Sequence, residues 1–204
     1  MPDSTSKRPS VLLLSLATTS YFYELYGPLL DRIAAHAKIE RATESDEAIE
    51  YLSSNNPRAI LVTDPGLTRS EHYKVFKKVL PYVQGGGILI FCLQFSSFIR
   101  PADFDRFFRT KLHLPWKFGI YERNDTYLNR SVTHIKNMDR LPRVYSQKAV
   151  RLKDVDPGDA LYLPSSGGEA PVAFTAYEQG WVGYTGDVNT EEGTYQAIVA
   201  MCGF

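Results

Sequence analysis

Cysteine is nearly absent from this chain: Cys92 and Cys202 are the only two among 204 residues. So few exclude a disulfide framework and point to a reducing compartment. The cytoplasm is therefore the expected location, with the nucleus as the alternative, and the sequons at Asn124 and Asn129 are chance matches. Neither charge is in surplus, since 23 Lys and Arg balance 23 Asp and Glu. That excludes a dedicated nucleic-acid binder or a protein of anionic membrane surfaces. The one local basic excess, Lys136 to Lys153, reads as a solvated hairpin face. No apolar run approaches the roughly 18 residues of a membrane span. The stretch Val11 to Ala17 is too short and strand-like for a signal peptide. Histidine is scarce too: no pair among His36, His72, His113 and His134 has metal-ligand spacing. Neither a metal nor any other cofactor is expected.

What is present is a clear α/β alternation. Residues 1–9 are polar and expected to be disordered, and residues 10–204 form one domain. Val11 to Leu16 is a continuous apolar strand, the pattern of a strand covered on both faces. A helix follows through Phe22, Leu25, Leu29 and Ile33, with Pro28 expected in the first turn of its main body. Ile39 to Ala42 and Arg58 to Asp64 are the next strands. Thr43-Glu44-Ser45-Asp46 and Thr68-Arg69-Ser70-Glu71 have capping-box form and start helices. In the second, Tyr73, Phe76, Leu80 and Val83 make one apolar stripe. Gly85-Gly86-Gly87 ends that helix, and Ile88-Leu89-Ile90-Phe91-Cys92 is a buried fourth strand.

The second half has another texture. Pro101 to Leu112 is a helix carrying Phe104, Phe107 and Phe108. Short strand-like segments follow at 117–123, 144–152, 160–163, 172–177 and 181–185. The turn Glu178-Gln179-Gly180 makes the last two an antiparallel hairpin, and a final helix runs from about Thr190 to Met201. The expected fold class is α/β: a doubly wound, mainly parallel, flavodoxin-like sheet with an antiparallel extension in the second half.

Three pieces together carry a resemblance: the Gly85-Gly86-Gly87 turn with its strand, the strand Gly180-Trp181-Val182-Gly183-Tyr184-Thr185, and the loop Gly186-Asp187-Val188-Asn189-Thr190-Glu191-Glu192. They resemble the class I glutamine amidotransferase-like superfamily, closest in pattern to its trehalose-utilisation-type branch, over roughly residues 10–203. The family's nucleophile lies in a Gly-x-Cys-x-Gly elbow, and the matching run here is Ile90-Phe91-Cys92-Leu93-Gln94. The family's His-x-Glu falls where this chain has Asp187-Val188-Asn189. The resemblance thus implies the fold without the Cys-His-Glu triad. Because a cysteine needs a base beside it to become a nucleophile near neutral pH, glutaminase chemistry is not expected.

In a parallel sheet the carboxyl ends of the strands share one edge, and ligands bind there at the topological switch point. The candidates on that edge are Cys92 as a catalytic thiol, and Thr18, Thr19, Ser20, Asp64, Gln94, Asp187 and Asn189 as ligand-binding residues. Each has a plain structural alternative: core packing for Cys92, capping and turn formation for the others. Two readings follow besides an assembly module with a vestigial pocket. One is a binding domain for a small polar molecule or a protein partner, with homo-oligomerisation open. The other is a Cys92-dependent hydrolase or transferase in which Asp187, His134 or Glu24 serves as base or orienter.

Overall fold

The computed structural model describes residues 8–17 and 19–204. The expected disordered tail up to residue 7, and Thr18, lie outside the described residues. The first half alternates as its sequence pattern implies: β1 (Ser10–Leu14), α1 (Phe22–His36), β2 (Lys38–Ala42), α2 (Ser45–Ser54), β3 (Ala59–Val62), α3 (Tyr73–Gln84) and β4 (Ile88–Phe91). A short α4 (Gln94–Phe98) and α5 (Pro101–Lys111) follow. Then come β5 (Lys117–Leu128), β6 (Val144–Lys153), β7 (Ala160–Pro164), β8 (Val172–Tyr177), β9 (Gly180–Thr185) and α6 (Glu192–Met201). The nine strands of the described residues form one mixed sheet in the order β2-β1-β3-β4-β9-β8-β7-β5-β6. It is parallel from β2 to β9 and antiparallel beyond.

Strand alternation divides the core. Val11, Leu13, Leu61, Ile88 and Ile90 meet Phe22, Leu29 and Ile33 of α1 and Tyr195, Ile198 and Met201 of α6. Leu12, Leu14, Ile60, Val62, Leu89 and Phe91 point the other way, against Val75, Phe76, Val79 and Val83 of α3 and the phenylalanines of α5. The second layer is unusually aromatic. Phe104 and Phe108 stack at 4.3 Å, Phe91 lies 4.9 Å from Phe108, and Trp116 closes the group 5.7 Å from Phe108. Fully burying each such ring stabilises the fold by about 1.5–3 kcal/mol.

Two helices depart from the expected pattern. Pro28 lies inside α1, which begins six residues earlier at Phe22. The helix tolerates it because Pro28 and Glu24 are solvent-exposed, so water can take the carbonyl that loses its amide partner. Residues 65–72 form two 3₁₀ turns rather than the start of α3, and the buried stripe of α3 becomes Val75, Phe76, Val79 and Val83. Tyr73 is thereby turned outward and is 49% exposed.

The glycine turn is built for close approach. Gly86 has φ +112°, which favours glycine, and a Cβ on Gly87 would strike the Tyr82 ring. The Tyr82 hydroxyl accepts from the Ile88 amide at 3.1 Å and donates to the Pro57 carbonyl at 3.1 Å, tying the start of β4 to the approach of β3.

β9 is the last strand in sequence yet sits at the centre of the sheet, parallel to β4 and antiparallel to β8. Beyond it the chain meets β6, which folds back over this end of the sheet. The Val150 amide donates to the Gly186 carbonyl at 2.9 Å and Val188 to Lys148 at 3.0 Å. The Tyr184 hydroxyl donates to the Val150 carbonyl at 3.0 Å. No room remains at Gly186, where a Cβ would overlap the Val150 carbonyl. Gly186→Ala should therefore destabilise the protein by about 1–3 kcal/mol, the usual cost of overpacking. Chemical denaturation checks this; an unchanged midpoint would show that the β6 contact is soft.

Candidate functional site

The carboxyl edge of the parallel strands carries two non-glycine residues with positive φ, Thr190 in the loop after β9 at 62° and Leu93. Between β4 and α4, Leu93 has φ 61° and ψ −117°. A bulky residue with positive φ is a genuine outlier, held at a cost of about 1–3 kcal/mol. A sharp, strained strand-to-helix turn is the geometry that displays a nucleophile at the top of an α/β sheet. Here the turn is present but a leucine occupies its crest, one position after the cysteine matched to it from sequence.

Cys92 itself continues the alternation of Ile88 and Ile90 into the core. It is fully buried in the layer shared with α1 and α6. Burial first, then neighbouring Cys202, hold its thiol well above its usual pKa. Its backbone amide donates to the Val62 carbonyl at 3.0 Å. His134, one base considered for it, stacks 4.7 Å from Trp181 and hydrogen-bonds the Phe174 carbonyl at 2.7 Å. Trp181 pairs with Ile88 at the amino end of β4, so His134 is on the opposite edge of the sheet. Glu24 lies on the exposed face of α1.

The remaining candidates fall on either side of Leu93. On the β1–β3 side, Asp64 is buried and caps the first 3₁₀ turn, accepting from the Gly66 amide at 2.8 Å and the Ala17 amide at 2.9 Å. Desolvation raises its pKa, against the pull of those two amides. Gln94 donates through Nε2 to Thr19 Oγ1 at 2.7 Å, while its buried Oε1 has no hydrogen-bond partner. Ser20 is exposed. Arg41, which sequence reasoning passed over, reaches this corner from β2. It donates to Ser15 Oγ at 3.0 Å and lies 4.0 Å over the Phe22 ring, while Ser15 meets Thr63 at 2.8 Å.

On the β9 side, Leu93 shares a small crevice with Tyr26, Thr185, Asp187, Thr190, Thr194 and Tyr195. The space inside is about 10 Å³, room for one water-sized group. Asp187 Oδ1 accepts from the Asn189 amide at 2.6 Å and Oδ2 from the Glu191 amide at 2.8 Å. Asn189 itself is exposed, so what this loop buries is the carboxyl group. Glu191 is bound through Oε1 to Arg123 at 3.0 Å, leaving buried Oε2 without a partner. Burial, and next the adjoining Glu191 carboxyl, push the Asp187 pKa up to about 8. A proton on Asp187 shared with Glu191 Oε2 fits both facts. Thr185 Oγ1 also faces the crevice unpartnered.

The structure thus joins Thr19 to Gln94, and Asp64 to the start of the loop that carries Thr19. It separates both from Asp187 by the Leu93 crest and sinks Cys92 beneath it. Thr185, Thr194 and Tyr195 were not singled out as binding residues. Hydroxyl residues within otherwise apolar elements give little signal in a sequence. Among the described residues no group of three or more His, Cys, Asp or Glu is placed to hold a metal ion. No helix among them is long and apolar enough to cross a membrane.

No protein-family model matches the sequence, and neither does any curated protein. Solved structures do match in shape. A ThuA-like protein from Bacteroides uniformis superposes with TM-score 0.62 at 12% identity, over 98% of this chain and 93% of that one. A cytoplasmic protein of Salmonella typhimurium gives 0.63 at 10% identity, over 95% and 98%. A β-galactosidase from Bacillus circulans gives 0.58 at 13% identity, over 96% of this chain but 31% of the enzyme. At these identities the likeness is one of fold, and it is the ThuA-like fold to which the glycine turn, the β9 strand and the following loop pointed.

The Asp187 carboxyl gives the site a pH signature. The folded state keeps a proton that the unfolded chain releases near pH 3.8, and gives it up only near pH 8. Its contribution to stability is therefore complete below about pH 4 and is lost as pH rises towards 8. Asp187→Asn should flatten the decline of unfolding free energy across that window, measured by denaturant titration at several pH values. A variant that keeps the wild-type slope would assign the titration elsewhere.

Proposed function

We propose that this chain is a divergent, non-glutaminase member of the amidotransferase-like superfamily that binds a small polar ligand at the carboxyl edge of its sheet. The observation that carries this reading is Leu93 at the crest of the strained turn. The backbone device that would present a nucleophile is retained, and the side chain on it cannot react. We also read residues 10–204 as one domain and the first half as a doubly wound, flavodoxin-like sheet. In support, a single sheet contains every strand of the described residues and helices cover both of its faces. A cytoplasmic location fits two buried free cysteines.

The character of the ligand follows from the groups left over. A buried polar atom without a partner costs about 1–3 kcal/mol, and Thr185 Oγ1 is such an atom in the crevice itself, with Gln94 Oε1 and Asp64 Oδ2 across the Leu93 crest. Beside a protonated Asp187, the Thr185 hydroxyl can both donate and accept. That set suits a hydroxyl or amide group better than a bare anion. A β-galactosidase among the structural neighbours is named for a sugar, a hydroxyl-rich substrate of the same class.

Two measurements test the proposal. Glucose, trehalose and glutamine, titrated to about 10 mM to reach even weak sites, should seat one hydroxyl or amide group at the mouth of the crevice and produce saturable amide shifts at Leu93, Thr190 and Thr194 with at least one of them. Thr185→Val should weaken that response. No ammonia should be released from glutamine. Absence of any shift at the crevice would remove the ligand reading. Iodoacetamide at neutral pH should label Cys92 far more slowly in the folded than in the unfolded protein, because burial raises its pKa and blocks access. Rapid selective labelling in the folded state would restore a thiol-dependent enzyme.

A further inference from the structure

The other face of the sheet holds a larger feature. Where the two 3₁₀ turns after β3 meet α3 and α5, a surface cleft of about 780 Å³ opens. That is within the size range of small-molecule sites, about 300–1,000 Å³. Its floor is apolar and buried: Leu67, Phe76 and Phe107 are each no more than 5% exposed. Its rim is cationic, with Arg69, Arg106 and Lys111. Two carboxylates also line it, each matched to one arginine: Glu71 with Arg69 at 3.7 Å, and Asp103 with Arg106.

Tyr73 stands between these groups. Its ring carries the Lys111 ammonium at 5.0 Å and the Lys77 ammonium at 5.9 Å. The lining thus carries one more positive group than negative, and Lys111, which neither carboxylate pairs, is the cation left over. A half-exposed tyrosine bracketed by ammonium groups gives a flat apolar body a surface and an attached anion its counter-charges. Focusing of like charge at a low-dielectric concavity also raises the local concentration of an opposite charge.

We infer that this cleft is a binding site for a small aromatic anion of mononucleotide size, with its ring against Tyr73 and Phe107 and its anionic group held by Lys111, Arg106 and Arg69. The site lies across the sheet from the Leu93 crevice and does not depend on what that crevice binds.

The test uses the full chain and five probes: AMP, UMP, 4-nitrophenyl phosphate, adenosine and inorganic phosphate, titrated by calorimetry and by amide shifts. At least one aromatic phosphate should bind saturably with a Kd of about 1 mM or tighter. For AMP, adenosine and inorganic phosphate should each be about tenfold weaker or worse, because each supplies half of the recognition. Lys111→Ala and Arg106→Ala, both on the surface, should each reduce affinity about tenfold with the thermal midpoint retained. Lys38→Ala, on the distant edge strand β2, should not alter it. Failure of all three aromatic phosphates to saturate would overturn the inference. So would unchanged affinity in the Arg106→Ala/Lys111→Ala double variant, or adenosine binding as tightly as AMP.

Discussion

The parallel pairing of β9 with β4 is the constraint on which the rest depends. It inserts the final strand between the parallel half and the antiparallel half, so one sheet runs through both. The strand must be thin to fit. Gly180 abuts the Val83 and Gly87 backbone, and Gly183 sits among Ile90, Phe174 and Met201. From that pairing the loop after Thr185 is delivered to the carboxyl edge, where β6 clamps it through Gly186 and Val188. The position of Asp187 against Leu93 is a product of these two contacts.

The site that results has the frame of a reactive centre and the filling of a core. The strain at Leu93 persists because its surroundings over-determine it. Cys92 below is fixed by a bond to β3, Phe95 above donates to the Cys92 carbonyl at 3.1 Å, and the leucine side chain is buried against Tyr26 and Tyr195. A hydrophobic residue stabilises this turn by the same burial that removes its chemistry. The buried carboxyl pair of Asp187 and Glu191 is then restrained by three backbone amides and one arginine.

Much of the fold was legible in the sequence because the signals were local. Gly85 to Gly87 marked the end of a helix, apolar runs marked strands covered on both faces, and Glu178-Gln179-Gly180 marked a hairpin. The parity of β4 was legible too: Ile88, Ile90 and Cys92 share one face, which places the thiol in the core rather than at the edge. The placement of β9 beside β4 was not, since nothing within either strand names a partner about ninety positions away. Nor does a leucine announce a positive φ. Tyr73 looked like a core residue at helical spacing. The two 3₁₀ turns before it rotated α3, and it became the exposed ring of a cationic cleft.

The central place of β9 also bears on how the chain is made. Until residues 180–185 have emerged, β4 is an exposed edge of four apolar residues, and the slot between the halves is empty. Such an edge invites pairing with other chains. Closure must also wait for a contact of high sequence separation, which slows folding. The nascent chain therefore carries this adhesive edge from the emergence of β4 until β9 follows, about ninety residues later.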